Sequence, residues 1–227
     1  MAFNIGFVLF PNVTQLDLTG PLQVLHRLPD SQAHIAAKSL KPVASDCGLS
    51  LVPTTTFATC EPLDLLCVPG GFGVSGAIAD ADTIDFVRRQ AARATYVTSV
   101  CTGAFVLGVA GLLRGRRATT HWAYTDLLAL VGAVHAEARV VRDGNVFTGA
   151  GVTAGIDFAL CVAAEVAGSE AAQHIQLSLE YDPAPPFAAG NPRLAPGSVR
   201  ERMNERFGAR LTTFRGELKQ AMAQQPT

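Results

Sequence analysis

The sequence carries little charge and has no concentration of basic residues. Charged side chains make up 16% of its 227 residues and hydrophobic ones 48%, and the formal net charge is −1. So few charges argue against a disordered chain, and the length allows either one domain with a sizeable core, the simpler prediction, or two small ones. Because the lysines and arginines are scattered, no positive face is available for a phosphate backbone, and nucleic acid is not expected as a partner.

Cysteines are few, and their spacing fits neither a disulfide framework nor a zinc site. The five cysteines include no C-x-x-C pair, so no metal site is predicted. Unpaired cysteines fit a reducing compartment, and the N-terminus has neither a basic segment nor a small-residue cleavage site. We therefore expect a cytoplasmic protein without a secretion signal.

One long uncharged run, residues 94–113, has the ~20-residue length of a membrane span. Its first half is rich in β-branched residues, whereas the apolar residues of its second half recur with helical spacing. Polar residues interrupt the middle, where lipid would require apolar groups. The run therefore predicts a buried strand followed by a buried helix, and no membrane partner.

Strand-like and helix-like segments alternate along the chain, which is typical of a parallel sheet covered by helices on both faces. The predicted strands are 4–10, 63–68 and 96–100. One helix is predicted to begin near Pro21, and four more are predicted over residues 83–94, 102–113, 153–166 and 170–179. Asp143-Gly144 between apolar runs predicts a β-hairpin over residues 139–147. The fold class is therefore α/β, with a mostly parallel central sheet and one hairpin.

The C-terminal part of the chain differs in composition from the rest. Residues 182–196 are rich in proline, alanine and glycine and predict an ordered arm or loop. Residues 199–222 predict a basic amphipathic helix that packs on the body or on a partner subunit, with a membrane-surface role as the alternative. We divide the chain into an α/β domain over residues 1–190 and a helical extension over residues 191–227.

Cys101 is the first of three candidate site positions that follow strands, where ligands bind in doubly wound sheets. It lies at the junction of a predicted strand and helix, and the unpaired amides and dipole of a helix start favour a thiolate. Gly103 allows a tight turn there. The alternative is a small buried side chain without chemistry, which is the usual role of a free cysteine.

Asp17 and a glycine-rich turn at residues 70–73 are the other two candidates. Apolar neighbours could raise the pKa of Asp17, although an aspartate at this place more commonly caps the following helix. The turn could direct backbone amides at a substrate, as an oxyanion hole does, and it lacks the lysine of a phosphate-binding loop. The residues expected to bind substrate are Gly70, Gly71 and Phe72.

Histidines decide whether a Cys-His mechanism is available, because such enzymes need an imidazole base. No histidine follows Cys101 directly. The His135-Ala136-Glu137 segment resembles the His-x-Glu of glutamine amidotransferases, but it precedes the predicted hairpin, so it is not expected to meet the cysteine. His121 is expected to be a hydrogen-bonded structural residue at a helix start, with a role as base the alternative.

Several motifs resemble those of the ThiJ/PfpI superfamily, which is class I glutamine-amidotransferase-like, and together they span about the first 190 residues. The motifs are Q-L-D-L-T-G-P around Asp17, P-G-G at 69–71, S-V-C-T-G-A-F-V-L-G around Cys101, A-T-T-H-W at 118–122, T-A-G-I-D-F at 153–158 and L-E-Y at 179–181. The cysteine and T-T-H-W motifs are similar to those of a subgroup that hydrates isocyanides and includes ligand-sensing domains of AraC-type regulators. Those regulators continue into a helix-turn-helix region, for which one predicted helix is too little.

The resemblance implies a flavodoxin-like three-layer sandwich that forms a homodimer and uses no cofactor. It also implies that water adds to a small apolar isocyanide, which gives an N-substituted formamide. Matched motif by motif, Cys101 is the nucleophile, Asp17 its acidic partner and Thr102 the residue beside the nucleophile. These residue types suit a thioimidate intermediate, since a thiolate can attack the isocyanide carbon while a protonated carboxyl supplies its proton.

Two other functions remain open at this point. One is a glyoxalase or deglycase of the same superfamily, although those relatives usually have glutamate where Asp17 stands. The other is a redox or small-molecule sensor, whose Cys101 would be oxidised without turnover and would need the same accessible thiolate. Ala150 and Val152 stand where a more glycine-rich segment is expected, which leaves the rate and the substrate range open.

Overall fold

A seven-stranded sheet forms the centre of the protein in a computed structural model, which describes residues 2–225. The strands are β1 (Phe3–Val8), β2 (Ser31–Ala37), β3 (Val43–Ala44), β4 (Ser50–Leu51), β5 (Thr55–Thr56), β6 (Leu65–Val68), β7 (Tyr96–Val100), β8 (Arg117–Ala118), β9 (Val134–His135), β10 (Val140–Asp143) and β11 (Val146–Gly149). The order in the sheet is β10-β11-β7-β6-β1-β2-β5, and each neighbouring pair is parallel except β10 and β11. Strands β3 and β4 pair separately, as do β8 and β9.

Helices cover both faces of this sheet. They are α1 (Gln15–Leu25), α2 (Val74–Ala79), α3 (Ala81–Ala91), α4 (Gly103–Val109), α5 (Ala154–Ala167), α6 (Ser169–Ser178), α7 (Gly197–Ala223) and a 3₁₀ helix at Trp122–Val131. In one layer α5 contacts α1 and α6, and in the other α4 contacts α2, α3, α7 and the 3₁₀ helix. The arrangement is a flavodoxin-like three-layer sandwich, so the predicted fold class is confirmed.

The register of the central strands brings three connecting segments to one edge of the sheet. Phe7 is aligned with Cys67, Val68 with Ser99, and Val100 with Gly149. Because these strands are parallel, the chain leaves all of them at the same edge. The segments after β1, β6 and β7 carry the three candidate site positions, and they meet there.

Helix α1 begins at Gln15, so its predicted start near Pro21 is wrong. Pro21 lies inside the helix, although proline usually occupies the first turn. The early start matters for the site because it places Asp17 in the first turn, close to the end of β1. Strand β2 and the 3₁₀ helix have no counterpart among the elements predicted from the sequence.

Two predictions about local structure are confirmed. The uncharged run over residues 94–113 contains strand β7 and the wholly buried helix α4, and within residues 2–225 no helix is long and apolar enough to cross a membrane. Helix α4 ends at Val109, earlier than predicted, and a turn with Gly111 at φ +85° follows. The hairpin forms between β10 and β11, with Gly144 in its turn at φ +62°.

The C-terminal helix α7 packs on the α/β body. It buries Phe214, Leu218 and Ala221, and the ring of Phe214 contacts that of Phe105 edge-on, with 5.2 Å between the ring centroids. Residues 182–196 connect it to the body as a mostly exposed segment without helix or strand. The division of the chain at residue 190 stays a prediction.

Candidate active site

Cys101 joins β7 to α4 with a backbone conformation that is rare for a residue with a side chain. Its φ is +56°, and surrounding structure must hold such a residue in place. The Cys101 amide donates hydrogen bonds to the carbonyls of Gly149 (3.0 Å) and Ala150 (2.9 Å). Its carbonyl accepts a hydrogen bond of 2.8 Å from Thr120 Oγ1. Strand β11 and the segment around Thr120 therefore fix the position of the cysteine.

The turn after Cys101 is tight because α4 lies directly against the end of β6. A Cβ atom at Gly103 would lie 2.2 Å from the Val68 carbonyl oxygen and 2.7 Å from the Pro69 carbonyl oxygen. Neither backbone oxygen can move away without disrupting the sheet edge. Gly103 thus allows close packing at this turn, as the sequence predicts.

Asp17 is completely buried beside Cys101. Its Oδ2 accepts a hydrogen bond of 2.9 Å from the Gly70 amide, which belongs to the glycine-rich turn. The carboxyl group therefore does not cap α1, and the capping alternative is wrong. The thiol of Cys101 favours the charged carboxylate and so lowers the pKa of Asp17, and Oδ1 has no hydrogen-bond partner among the described residues.

Burial raises the pKa of Asp17 from 3.8 to about 7. The hydrogen bond from Gly70 and the interaction with Cys101 lower this pKa, and the charge of Asp46 raises it, but desolvation is the largest effect. Of the two roles that the sequence leaves open for Asp17, the burial of the carboxyl group therefore fits the raised pKa and not the more common helix cap. A carboxyl group with this pKa can both give and accept a proton near neutral pH.

The pKa of Cys101 is raised well above its usual 9.0. Desolvation is the largest cause and the charge of Asp17 the second, while hydrogen bonds with Thr102 lower the pKa. The sequence predicts that the helix start favours the thiolate, and the Thr102 amide at that start does lower the pKa, but Cys101 is only 6% exposed and burial outweighs this effect. If the proton of Cys101 moves to Asp17, the opposing negative charge disappears and a nucleophile forms without a change in net charge.

The glycine-rich turn holds the two side chains that flank Cys101. Thr102 Oγ1 accepts a hydrogen bond of 3.0 Å from the Gly71 amide and donates one of 3.3 Å to the Gly71 carbonyl. A Cβ atom at Gly70 would lie 2.6 Å from the Thr102 nitrogen and 2.8 Å from Asp17 Oδ2. The amides of Gly70 and Gly71 therefore bind protein acceptors, whereas the sequence predicts amides that face a substrate.

Two cavities lie near this site, and neither is lined by Cys101 or Asp17. The first, of about 470 Å³, lies beside Phe72 and is bounded by side chains such as Phe10, Ala37 and Ala77. The second, of about 600 Å³, lies beside the Thr120 segment and is bounded by more polar residues, including His121 and Arg139. Phe72 itself is 56% exposed, so it lies at the surface.

The histidines near the site have structural contacts. His121 Nδ1 accepts a hydrogen bond of 3.3 Å from the Ala123 amide at the start of the 3₁₀ helix, and burial lowers the pKa of His121 to about 4. The predicted structural role of His121 is therefore confirmed. His135 is exposed in β9, and neither histidine is a hydrogen-bond partner of Cys101 among the described residues.

Sequence reasoning missed the residues that hold the Cys101 backbone. Thr120, Gly149 and Ala150 have this role. The T-T-H-W motif is the one signal that marks Thr120, whereas two carbonyl groups of a strand end leave no trace in the sequence. Tyr124 was also missed. Burial raises its pKa, and a negative charge on Cys101 raises it further.

A comparison with known families is consistent with this site. The model of the DJ-1/PfpI family matches residues 4–165, which include the glycine-rich turn and Cys101. The chain belongs to the DJ-1/PfpI family. Its ThiJ/PfpI motifs and its flavodoxin-like sandwich are therefore those of that family.

Three relatives show how far the similarity extends beyond the DJ-1/PfpI region. A protein named isonitrile hydratase from Pseudomonas putida is 60% identical over 206 residues, or 91% of this chain and 90% of that protein. The crystal structure of a THiJ/PfpI family protein from Pseudomonas syringae has 46% identity and a TM-score of 0.92, and the match covers 98% of this chain and 91% of that one. The HTH-type transcriptional regulator GbdR of Pseudomonas aeruginosa is 28% identical over 79% of this chain but only 51% of the regulator.

Proposed function

We propose that this protein is an isocyanide hydratase that uses Cys101 as nucleophile and Asp17 as general acid and base. The observation that carries the proposal is the buried pair, in which a carboxyl group with a pKa of about 7 lies beside a thiol. The 60% identity to the isonitrile hydratase of Pseudomonas putida supports it. The proposed reaction proceeds with these side chains and water alone, without a cofactor.

In the first step, the Cys101 proton moves to Asp17 and the thiolate adds to the terminal carbon of the isocyanide. The new carbon–sulfur bond leaves an electron pair on that carbon. The carbon then takes from the Asp17 carboxyl group the proton that Cys101 had given up. The product is a thioimidate, in which the former isocyanide carbon carries hydrogen, sulfur and a double bond to nitrogen. Asp17 returns to its carboxylate form.

In the second step, water attacks the thioimidate carbon. The Asp17 carboxylate accepts a proton from the water and delivers it to the nitrogen, which gives a tetrahedral intermediate. The carbon–sulfur bond then breaks with its electron pair left on the Cys101 sulfur, the hydroxyl proton of the intermediate passes to Asp17 and from there to the thiolate, and the formamide leaves. Thr102, whose hydroxyl group lies 3.0 Å from the Gly71 amide, is proposed to assist these proton transfers.

The same geometry weakens the sensor alternative. A redox-sensing cysteine needs an accessible thiolate, since oxidation follows exposure and thiolate character. Cys101 is 6% exposed and its pKa is raised by burial. An uncharged isocyanide with a narrow reactive end suits such a site better, because only its terminal carbon must reach the sulfur.

Gly70, Gly71 and Phe72 are proposed to contact the substituent of the isocyanide. The glycines present no side chain beside Asp17, and Phe72, which follows them in the turn, lines the apolar cavity of about 470 Å³. We expect Phe72→Ala to raise KM by about tenfold for bulky isocyanides, the value of one lost apolar contact, with a smaller effect on kcat. An unchanged KM over a series of alkyl isocyanides would remove Phe72 from the binding site.

The direct test incubates the purified protein with an alkyl isocyanide and follows the formamide by NMR. Cys101→Ala should abolish turnover, and Asp17→Asn should reduce kcat by about 10² to 10⁴, the usual contribution of general acid–base catalysis. Cys161→Ala serves as the matched control, because that cysteine is exposed on α5. The proposal fails if the wild-type protein forms no formamide, or if formation survives Cys101→Ala.

We also propose that the protein is a cytoplasmic homodimer. Exposed apolar side chains in its C-terminal part support an interface, since Leu177 is 80% exposed, Phe187 79% and Leu194 70%. Five free cysteines suit the reducing cytoplasm. Light scattering that gives the 23.8 kDa of a single chain would contradict the dimer, and cell fractionation tests the location.

A further inference from the structure

Helix α7 reaches the glycine-rich turn through the side chain of Arg210. Its Nη2 donates a hydrogen bond of 3.2 Å to the Phe72 carbonyl and another to Ser75 Oγ on α2. Its Nη1 forms an ion pair of 3.8 Å with Glu217, whose carboxylate also accepts a hydrogen bond from Ser75. One guanidinium group therefore connects α7, α2 and the turn.

The surroundings of Arg210 restrict its movement more than those of an ordinary surface arginine. Its side chain is 28% exposed, and its guanidinium carbon lies 5.8 Å from the ring centroid of Phe214. Tyr124 is a buried neighbour. Burial raises its pKa, and the positive charge of Arg210 reduces this rise. A planar group that stacks on a ring and donates in fixed directions holds its acceptors in one arrangement.

The acceptor at Phe72 is next to the amides that hold the catalytic side chains. The Gly70 amide lies 2.9 Å from Asp17 Oδ2, and the Gly71 amide lies 3.0 Å from Thr102 Oγ1. Peptide groups are planar, and only two dihedral angles separate one from the next. One peptide group lies between the Phe72 carbonyl and the Gly71 amide and two lie between it and the Gly70 amide, so an anchored carbonyl restricts the positions that both amides can take.

We propose that Arg210 is a positioning residue for the reaction, which anchors the glycine-rich turn and, through it, Asp17 and Thr102 beside Cys101. This inference rests on the proposed function. Arg210 does not touch the reacting atoms, so it acts only through the turn. It also lies beyond residue 165, where the match to the family model ends, so the anchor comes from the C-terminal part of this chain.

The experiment compares Arg210→Met with Arg215→Met, which removes an exposed arginine from the same helix. We expect Arg210→Met to lower kcat by about tenfold to a hundredfold with KM changed by less than about twofold, because misplacement by about 1 Å can cost a hundredfold in rate. Arg210→Lys can still donate to the Phe72 carbonyl and should recover part of kcat. Arg215→Met should match the wild type.

A second readout does not depend on turnover. The rate at which iodoacetamide alkylates Cys101 is measured against pH in the absence of substrate, by mass spectrometry of the Cys101 peptide. In Arg210→Met, Asp17 loses part of the hydrogen bond that favours its carboxylate, so the inflection that Asp17 causes should move to higher pH. The titratable groups that act on Asp17, which are Cys67, Cys101 and Asp46, form no hydrogen bond or ion pair with Arg210 among the described residues.

The outcomes separate this inference from the proposed function. Wild-type protein that forms no formamide overturns the hydratase, while the alkylation profile still tests the anchor. An Arg210→Met protein with the kcat and alkylation profile of Arg215→Met overturns the anchor. A lower thermal midpoint with unchanged kcat per folded molecule does the same, because it would show a structural role only. If Arg210→Met does not fold, Arg210→Lys and Glu217→Gln, which weakens the ion pair, are measured against the same criteria.

Discussion

The carboxyl group of Asp17 has no contact with solvent. The free-energy cost of burying its charged form affects both the activity and the stability of the protein. Desolvation keeps the proton on the carboxyl group until about pH 7. A carboxyl group that is half protonated near neutral pH can supply the proton that the isocyanide carbon needs and accept one from water. Above that pH, the same group is a buried charge that the folded state must accommodate.

The stability of the protein should therefore fall as pH rises through the range in which Asp17 ionises. Its pKa is 3.8 in an unfolded chain and about 7 in the folded protein, so between these values the folded state binds more protons. Under proton linkage, the free energy of unfolding then decreases with pH, by about 4 kcal/mol at most once Asp17 is fully ionised. This contribution is fully present below pH 3.8 and lost above about pH 7.

Asp17→Asn tests this directly, because asparagine has a similar shape and cannot ionise. We expect the variant to be more stable than the wild type at pH 8, with the difference shrinking toward pH 4, in urea unfolding curves. Asp126→Asn, at an exposed position of the 3₁₀ helix, should show no such trend. A difference between Asp17→Asn and the wild type that stays constant from pH 5 to pH 8 would contradict a buried ionisation at Asp17.

The identities of the site residues can be predicted from the sequence, but their chemistry only in part. Cys101 directly follows a predicted strand and Asp17 lies in the segment that follows another, so their place at the sheet edge follows from the alternating pattern. The ionisation of Cys101 does not follow, because desolvation depends on how many atoms from other elements cover the sulfur. That number is set by the whole packed layer and not by the helix that begins after the cysteine.

At the scale of elements, the glycine-rich turn is where two helices and a strand are held together. The turn follows β6, and it binds Asp17 from α1 and Thr102 from the start of α4. The sequence indicates a turn with free amides, but the partners of those amides lie 53 and 31 residues away in the chain. Local patterns cannot show such long-range hydrogen bonds, which explains why the substrate-facing role was predicted for these amides.

Gly70→Ala should separate these groups. The added methyl group would lie 2.6 Å from the Thr102 nitrogen and 2.8 Å from Asp17 Oδ2, so the turn must move. We expect kcat to fall by about a hundredfold, as for a displacement of about 1 Å, and stability to fall by about 1–3 kcal/mol. Formamide production and thermal unfolding measure the two effects.

The control for this variant is Gly216→Ala, at a helical position of α7 with no atom within 4 Å of an added Cβ. Alanine is the better helix former, so this variant should keep its kcat and gain about 0.5–1 kcal/mol in stability. If Gly70→Ala behaves like Gly216→Ala, the turn does not hold Asp17 and Thr102 as described.

For the whole molecule, the layered α/β architecture follows from the alternation of strands and helices, whereas some elements escape prediction. The first half of strand β2 has the sequence Ser31-Gln32-Ala33-His34, in which apolar and polar residues do not alternate as in a typical strand. This segment is a strand because it pairs with β1. Helix α1 continues through Pro21, since packing against α5 outweighs the local cost of proline. Tertiary contacts decide both cases, and they lie beyond any window of sequence.

Tertiary contacts also decide the place of α7. The composition of the sequence suggests an extension separate from the body after residue 190, but the apolar residues of α7 lie in the common core. Phe214 is 2% exposed, and its ring meets those of Phe105 and Tyr124 at centroid distances of 5.2 and 5.6 Å. We expect Phe214→Ala to lower the free energy of unfolding by about 3–5 kcal/mol in urea, because the cavity would open inside a layer that includes α4.

Thr213→Ala, at the exposed neighbouring position of α7, should change stability by less than about 0.5 kcal/mol. The urea curve of Phe214→Ala should also remain a single transition, since an α7 that shares the core cannot unfold before it. A separate early transition, with the rest of the protein unfolding at the wild-type midpoint, would instead make α7 an independent extension. In that case Arg210 could not hold the glycine-rich turn rigidly, because its own helix would detach under conditions in which the sheet stays folded.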